Sequence, residues 1–492
     1  MIDQFARQNR WWADPAAIDQ DRHIRRLRQA RRRWEGPLPF RVERDAVYTL
    51  RGPRQVGKST ILKRQIATLL ADGWPARRLL YLDVELAGLE TARDLVAAIR
   101  EFLDVERSPL AGDQPRLAVF LDEVTRVRGW AGAVRGLVDN DELRGVMLVA
   151  TGSHTADLRQ GGERLPGRRG GGGELDLELL PLSFREYVGL VDPGLPLPPT
   201  IASFEPESLR RGRRDRDVAR PRLAALLERY LMTGGFLSAL NDEATHGAVL
   251  AETFEAYREA VAGEFTRAGL REAYLREVVD WLARHLGQEL DYRGMAADTD
   301  IGSKDTARHY LDHMVETYTA LLLYRASNLS APTPGFRSPK KLLPLDPLFW
   351  HLIMAWAAND PDPWSSVVEA VARPEDVGHL VESVLLVHLR RAFGDRVFYW
   401  RERDRELDVV VAPPGAGGRG ASEQAMLGEV KYQRQIDAAD ARVLASMGGG
   451  TLVTRTFEGD LAGGAVHALP AAVALVLLDA PALAPIRRQR AC

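Results

Sequence analysis

A ten-residue segment near the start of the chain constrains the fold more than any other feature. It reads RGPRQVGKST over residues 51–60 and fits the pattern G-x-x-x-x-G-K-[ST] from Gly52 to Ser59. The apolar run AVYTL directly before it predicts a β-strand, and the pattern predicts a helix that begins near Lys58. A glycine-bounded loop between a strand and a helix directs backbone N–H groups and the positive helix N-terminus at an anion. The segment therefore predicts a phosphate-binding loop.

The side chains that end this loop indicate a nucleoside triphosphate as its ligand. Lys58 is expected to reach the β- and γ-phosphates, and the hydroxyl of Ser59 is expected to hold Mg²⁺. We therefore predict ATP and Mg²⁺ as cofactors. The loop residues predicted to bind ATP are Gly52, Pro53, Arg54, Gln55, Val56, Gly57, Lys58, Ser59 and Thr60.

Strand-like and helix-like segments alternate from residue 46 to about residue 185. The strand-like segments read AVYTL, RLLYLDV, RLAVFLDEV and GVMLVATGS, with helical patterns between them. Alternation of this kind predicts a parallel sheet covered by helices, and so an α/β fold.

Two acids lie near the end of the strand-like segment LAVFLDEV. Ligands of open α/β sheets bind at the carboxyl ends of the strands, so Asp122 and Glu123 are expected at the same edge as the phosphate-binding loop. Asp122 is predicted to hold Mg²⁺ through water, and Glu123 to polarise the water that attacks the γ-phosphate. Thr151 and Ser153, at the end of the next strand, are predicted to sense that phosphate.

Five blocks of this region together resemble a widespread family of bacterial and archaeal AAA+-like ATPases with a C-terminal domain of uncharacterised function. The blocks are GPRQVGKST, VFLDEVTRVRGW, ATGSHTADL, LPGR and LPLSFREYV, in order over roughly residues 46–190. The resemblance implies an ASCE-type AAA+ core with Glu123 as its catalytic glutamate. It also implies that Arg168 in LPGR acts as an arginine finger or sensor, against the alternative of one more solvated arginine. A finger comes from a neighbouring copy, so a homo-oligomer is expected, with a monomer left open.

Residues 272–326 have the element order of a winged helix. Two helical segments precede a turn at DIGS, and Ser303 is placed to cap a third helix with the sequence KDTARHYLDHMVETY. In a helix-turn-helix the N-terminal residues of the second helix face the major groove, which here predicts DNA contacts by Lys304, Thr306 and Arg308. A following hairpin offers basic side chains to backbone phosphates, namely Arg325, Arg337, Lys340 and Lys341. Winged helices also serve as protein-packing modules, and that alternative stays open.

The C-terminal part has acids and a lysine in the order Glu382, Asp408, Glu429 and Lys431. Asp408 lies in the strand-like segment ELDVVVAP, and Glu429 and Lys431 share one face of the next, MLGEVKYQ. This order resembles the PD-(D/E)XK nuclease fold. The resemblance implies that Glu382, Asp408 and Glu429 bind one or two Mg²⁺ ions and that Lys431 stabilises charge or positions the nucleophile. Such domains also survive as inert scaffolds.

The composition indicates where the protein is located but does not indicate its function. The only cysteine is Cys492, which excludes a disulfide framework, and the longest apolar run, AAVALVLL, is too short to span a bilayer. We therefore predict a cytoplasmic protein without a membrane partner. The formal charge of −2 says little about partners. Lysine occurs at only six positions in a chain rich in arginine, so each lysine is a candidate for a task that a guanidinium cannot perform.

Taken together, the patterns predict an α/β chain with a P-loop AAA+-like parallel sheet, a helical lid, a winged helix and a C-terminal restriction-endonuclease-like α/β domain. The expected divisions are a basic helical segment (1–40), the ATPase core (41–195), a linker and lid (196–265), the winged helix (266–350) and the nuclease-like domain (351–492). The expected function is ATP hydrolysis coupled to binding of duplex, forked or junction DNA without sequence preference, with nuclease activity left open. One alternative is a nucleotide-controlled DNA-binding or scaffolding module with an inert nuclease-like domain, and another is a regulator whose winged helix docks on protein.

Overall fold

The computed structural model describes residues 5–43, 45–107, 116–153, 175–211, 219–414 and 424–486. These residues form two compact units. The first contains the described residues up to Leu180 together with 316–318 and 483–486, and the second contains those of 181–315 and 319–482. This division is coarser than the five predicted segments, which stay a prediction.

The described strands are β1 (Val47–Arg51), β2 (Leu79–Asp83), β3 (Leu117–Asp122), β4 (Val146–Gly152), β5 (Asp176–Leu179), β6 (Ala320–Tyr324), β7 (Lys340–Pro344), β8 (Val397–Glu402), β9 (Arg405–Val411), β10 (Met426–Lys431), β11 (Gly450–Thr454), β12 (Gly459–Leu461), β13 (Val466–Pro470) and β14 (Leu483–Pro485). The described α-helices are α1 (Arg22–Gln29), α2 (Lys58–Ala71), α3 (Ala92–Glu106), α4 (Trp130–Asp139), α5 (Phe184–Val191), α6 (Pro206–Arg210), α7 (Arg220–Thr233), α8 (Leu237–His246), α9 (Ala251–Arg267), α10 (Glu272–His285), α11 (Tyr292–Asp298), α12 (Lys304–Glu316), α13 (Pro347–Ala358), α14 (Pro363–Ala372), α15 (Pro374–Phe393), α16 (Arg442–Ser446) and α17 (Ala471–Leu477).

The first unit is built on one sheet with the strand order β14-β5-β1-β4-β3-β2. All neighbouring pairs are parallel except β14 with β5. Every residue of β1, β3 and β4 is buried, as near-continuous apolar runs predict for strands covered on both faces. The predicted α/β core with a parallel sheet is confirmed, and β4 lies between the strand that precedes the phosphate-binding loop and the strand that ends in the two acids.

The N-terminal segment covers the outer edge of this sheet at β2. The side-chain amide of Asn9 donates to the carbonyl of Tyr81 and accepts from its N–H, at 2.9 and 2.7 Å. The indoles of Trp11 and Trp12 both donate to the carbonyl of Leu79. Side chains thus satisfy the backbone groups that an edge strand leaves unpaired.

The second unit contains the element order expected for a winged helix. Helices α10, α11 and α12 are followed by the antiparallel pair β6 and β7, and Glu289 forms an isolated bridge with Lys341. The hydroxyl of Ser303 accepts from the N–H of Thr306 at 3.1 Å, which confirms the predicted helix cap.

The C-terminal part of the second unit is a mixed sheet with the order β12-β13-β11-β10-β9-β8. β8, β9 and β10 are antiparallel neighbours, β11 pairs parallel with β10, and α15 packs against β8, β9 and β10. Helix α15, the strands β8, β9 and β10, helix α16 and strand β11 therefore follow one another along the chain. No helix in the described part of the chain is both long and apolar enough to cross a membrane.

Candidate functional sites

The loop between β1 and α2 has a backbone that requires glycine at two positions. Gly57 has a φ of 110° and caps the N-terminus of α2 in the left-handed region. A Cβ built on Gly52 would lie 1.9 Å from the carbonyl oxygen of Leu179 on β5. These two glycines let the loop turn tightly in front of α2, as a phosphate-binding loop requires.

Lys58 lies inside this loop and is 4% exposed. Its ammonium donates to the carbonyls of Gly52 and Pro53 at 3.0 Å each and lies 3.7 Å from Oε1 of Glu123. The loop and the acid after β3 therefore converge on one ammonium, as the sequence predicts.

Thr151 links the two acids at the end of β3. Its hydroxyl donates to Oδ1 of Asp122 at 2.5 Å and accepts from the N–H of Glu123 at 3.1 Å. The parallel pairing of β3 with β4 places Thr151 beside these acids. Ser153 lies 3.5 Å from Oε2 of Glu123, so the two predicted sensing residues meet the acids at one sheet edge. In the structure, Thr151 therefore also orients Asp122 and Glu123.

Tyr81 is a site residue that the sequence reasoning missed. Its hydroxyl donates to Oδ2 of Asp122 at 2.7 Å, and burial together with Asp122 raises the pKa of the phenol well above its ordinary value. Lys63, whose pKa burial lowers to about 8, has its ammonium 3.4 Å from the centre of the Tyr81 ring and 3.3 Å from Asp21. The only sequence signal was that Lys63 is one of six lysines.

The residues at this edge fit a Mg²⁺ ion bound together with a triphosphate. Asp122 is 2% exposed, and hydroxyl donors hold both of its oxygens, so its carboxylate is fixed in orientation. Ser59 stands at the first turn of α2, directly after Lys58. Asp122 and Ser59 are therefore the residues that would hold the ion.

Replacing Tyr81 with phenylalanine is expected to raise the Mg²⁺ concentration needed for nucleotide binding by about tenfold. Hydrogen-bond partners of metal-holding carboxylates typically contribute 10–100-fold to metal affinity. The measurement is the affinity for a fluorescent ATP analogue over a Mg²⁺ titration. Tyr48→Phe is the matched control, because the Tyr48 hydroxyl is also buried but accepts from the N–H of Arg41. An unchanged Mg²⁺ dependence in Tyr81→Phe would contradict a positioning role.

Comparison with known proteins supports the interpretation of the first unit. Residues 44–188 match the family model described as AAA domain. The chain therefore carries an AAA domain, the nucleotide-binding domain of P-loop ATPases, over those residues. None of the curated proteins compared with the chain matches it.

Two solved structures show a distant likeness. A DNA polymerase III gamma subunit-related protein from Thermotoga maritima is 14% identical, with 60% of this chain and 82% of that chain covered and a TM-score of 0.22. The S. cerevisiae Hsp104-ADP complex is 16% identical, with 70% of this chain and 41% of that chain covered and a TM-score of 0.25. Both TM-scores are too low to extend the assignment beyond the AAA domain.

The C-terminal sheet brings together the four residues predicted for a nuclease-like site. Asp408 on β9 accepts from the N–H of Val430 on β10 at 2.8 Å, and Lys431 forms an ion pair with Glu429 at 2.8 Å. Burial and the charge of nearby Glu382 raise the pKa of Asp408 to about 7. The four side chains therefore form one cluster, which we call the acidic cluster, with Glu406 as a further member.

These carboxylates do not fit the divalent ion that the PD-(D/E)XK resemblance implies. Glu382 and Glu406 each bind the ammonium of Lys341 at 2.8 Å, and Glu429 already binds Lys431. Among the described residues, no group of three or more His, Cys, Asp and Glu side chains is arranged to hold a metal ion. Sequence reasoning missed Lys341 and Glu406 as members of this cluster.

The residues predicted to contact DNA fall into two groups. Lys304, Arg308 and Arg337 are exposed, although Arg308 forms an i,i+4 ion pair with Asp312. The hydroxyl of Thr306 is 2.9 Å from that of Ser303, at the helix cap.

Lys340 and Lys341 are buried, with exposures of 9% and 3%. The ammonium of Lys340 donates to the carbonyls of Phe336 and Ser338, and that of Lys341 lies in the acidic cluster. The expectation that both lysines face backbone phosphates is therefore corrected, because loop carbonyls hold the ammonium of Lys340 and carboxylates hold that of Lys341. Arg168, the predicted finger or sensor, lies outside the described residues.

Proposed function

We propose that this protein binds ATP with Mg²⁺ in its AAA domain and hydrolyses it to ADP and phosphate. The observation that carries the proposal is the convergence of Lys58, Asp122 and Glu123 at one sheet edge, with Thr151 bonded to both acids. A cation, a metal-holding carboxylate and a second carboxylate near the γ-phosphate are the groups that phosphoryl transfer to water requires.

Each of these residues has a distinct task in the proposed reaction. Lys58 leaves the loop carbonyls and binds the β- and γ-phosphates, whose charge grows on the leaving oxygen as the bond breaks. Glu123 accepts a hydrogen bond from the attacking water and orients it in line with the γ-phosphorus. Asp122 and Ser59 would hold Mg²⁺, which would supply positive charge to neutralise the phosphates. Ser153, within 3.5 Å of Glu123, is placed to register whether the γ-phosphate is present.

The proposed partner is DNA, bound by the winged-helix segment without sequence preference. Support comes from the element order and from the exposed side chains of Lys304, Arg308 and Arg337. The positive charge on α12 is small, because Asp305 and Asp312 accompany Lys304 and Arg308. Binding through backbone phosphates and groove shape suits such a surface better than base readout.

We favour an inert C-terminal domain over one with nuclease activity. Such a domain would bind DNA or act as a scaffold without cleaving DNA. The order of helix and strands supports the PD-(D/E)XK resemblance, but the ion pairs of Lys341 with Glu382 and of Lys431 with Glu429 occupy carboxylates that cleavage would use for metal. We therefore propose ATP hydrolysis as the chemistry of this chain and assign no cleavage step to the acidic cluster.

Two measurements on the purified full chain test this proposal. Phosphate release from ATP with Mg²⁺ is expected, and Lys58→Ala should abolish it because the loop loses its cation. No phosphate release from the wild-type chain, with or without DNA, would refute the proposed ATPase activity.

Affinity for labelled duplex and forked DNA is expected to fall as salt rises, since phosphate contacts release counterions. Lys304→Ala combined with Arg308→Ala should weaken binding and flatten the salt dependence by about two counterions. Arg135→Ala on α4 is the matched control, because Arg135 forms the same kind of i,i+4 ion pair with Asp139. DNA affinity that is absent, or equal in the double variant and the control, would refute the proposed role of the winged helix.

A further inference from the structure

Lys341 is a buried cation that neither the proposed ATPase reaction nor DNA binding uses. It is 3% exposed, and its ammonium lies 2.8 Å from Oε1 of Glu382 and 2.8 Å from Oε1 of Glu406. Glu382 comes from α15 and Glu406 from β9, whereas Lys341 comes from β7 of the winged-helix segment. One ammonium therefore joins three elements that are far apart in the chain.

The ammonium is held in its charged form. Although burial by itself lowers the pKa of Lys341, the carboxylates of Glu382, Asp408 and Glu406 raise it above the ordinary value. A buried ammonium surrounded by several carboxylates has the same arrangement of charges as a metal cation bound by carboxylates. A guanidinium is planar and larger, so arginine could not take this place without moving the carboxylates.

The other carboxylates of the acidic cluster have partners of their own. Glu429 is paired with Lys431 at 2.8 Å, and Asp408 accepts a backbone hydrogen bond from β10. Oε2 of Glu429 is the buried carboxylate oxygen of this cluster that has no hydrogen-bond partner in the described structure. Ammonium groups hold one oxygen each of Glu382, Glu406 and Glu429, whereas Mg²⁺ needs near-octahedral coordination by several oxygens.

We propose that the ammonium of Lys341 is a permanent internal counter-ion that takes the place of a divalent cation between Glu382, Glu406 and Asp408. The acidic cluster then fastens strand β7 to the C-terminal sheet instead of holding a catalytic metal. A backbone hydrogen bond acts at the same junction, since the N–H of Ala326 donates to the carbonyl of Tyr399 on β8. The inference concerns the C-terminal domain alone and does not depend on ATP hydrolysis.

The test is uptake of Mn²⁺ by the nucleotide-free full chain, followed by the electron paramagnetic resonance signal of free Mn²⁺. Wild-type protein is expected to bind no Mn²⁺ at this cluster at concentrations up to about 10⁻³ M, the weak end of protein sites for divalent ions. Lys341→Met removes the charge at similar length and should create one new site. Adding Asp408→Asn to that variant should abolish the new site. The variant Asp122→Asn distinguishes Mn²⁺ bound at the AAA domain from Mn²⁺ bound at the acidic cluster.

A merely structural role for Lys341 would not create metal binding, so the gain of a site is the decisive result. Thermal unfolding gives a second readout: Lys341→Met should unfold at a lower temperature than wild type, and Mn²⁺ should restore part of the loss. Folded Lys341→Met that takes up no more Mn²⁺ than wild type would overturn the proposal. If Lys341→Met does not fold, the wild-type chain still decides, because Mn²⁺ uptake that Asp408→Asn removes would equally overturn it.

Discussion

Replacing Glu123 with glutamine is expected to lower kcat for ATP hydrolysis by about 10²–10⁴-fold, the usual contribution of a positioned general base. Glutamine keeps the size of the side chain but cannot draw a proton from the attacking water. The backbone link from Glu123 N–H to Thr151 does not involve the carboxyl group and should persist. Affinity for ATP with Mg²⁺ should therefore change little, because Lys58, Ser59 and Asp122 are unaltered.

Single-turnover phosphate release and binding of a fluorescent ATP analogue separate these two effects. Glu90→Gln is a suitable control, since Glu90 is an exposed acid of the same unit. If Glu123→Gln bound ATP normally and released phosphate at the wild-type rate, Glu123 would not be the residue that activates water. If it lost ATP binding instead, its 3.7 Å contact with Lys58 would be the more important one.

A second large effect is expected at His388, a buried residue of α15 whose ring forms hydrogen bonds with α5 and with its own helix. Its Nε2 accepts from the N–H of Phe184 at 2.9 Å, so its Nδ1 carries the proton and donates to the carbonyl of Val384 at 2.7 Å. Burial, with the nearby charge of Arg391, lowers the pKa of His388 to about 3. A second proton would leave the N–H of Phe184 without an acceptor.

The sign of the resulting pH dependence follows from the lowered pKa. The unfolded chain binds a proton at this histidine below about pH 6.5, whereas the folded chain does not until about pH 3. The contribution of His388 to stability is therefore complete above about pH 6.5 and is lost as the pH falls. Between about pH 6.5 and 5 the loss amounts to roughly 2 kcal/mol.

His388→Gln is expected to remove this dependence while keeping an acceptor for Phe184. The difference in free energy of unfolding between wild type and variant should shrink by about 2 kcal/mol from pH 6.5 to 5. Asp346 and Asp408 contribute a pH dependence of stability with the opposite sign, because burial raises their pKa values to about 6 and about 7. The stability difference between wild type and variant is therefore the quantity that isolates His388. Urea unfolding over a pH series measures it, with exposed His246→Gln as control. A difference that stays constant with pH would contradict the buried neutral state.

The sequence predicts much of the ATP site because its chemistry is written in short contiguous motifs. Lys58 and Ser59 belong to the loop itself, and Asp122 and Glu123 end a strand that must be parallel to the one before the loop. The sequence does not distinguish Tyr81, because a single tyrosine in a strand is common. Its bond to Asp122 depends on β2 pairing with β3, which no local pattern states.

The two lysines of β7 also show that the sequence does not predict long-range contacts. The sequence predicts DNA contacts for Lys340 and Lys341 because basic residues in a wing usually face phosphates, and the pattern of β7 is compatible with either face. The structure buries both residues, and Lys341 meets two acids that lie 41 and 65 positions further along the chain. The scarcity of lysine was the one sequence signal that pointed to a special role.

By itself, the sequence determined the order of the elements, the phosphate-binding loop and the identity of the acids that face it. Hydrophobic periodicity and short motifs act over a few neighbouring residues, so they can be recognised without the fold. Tertiary structure alone decided which side chains orient Asp122 and which cation neutralises Glu382. Those contacts join residues from different strands and helices, and their partners are set by strand order and packing, which side-chain spacing along the chain does not encode.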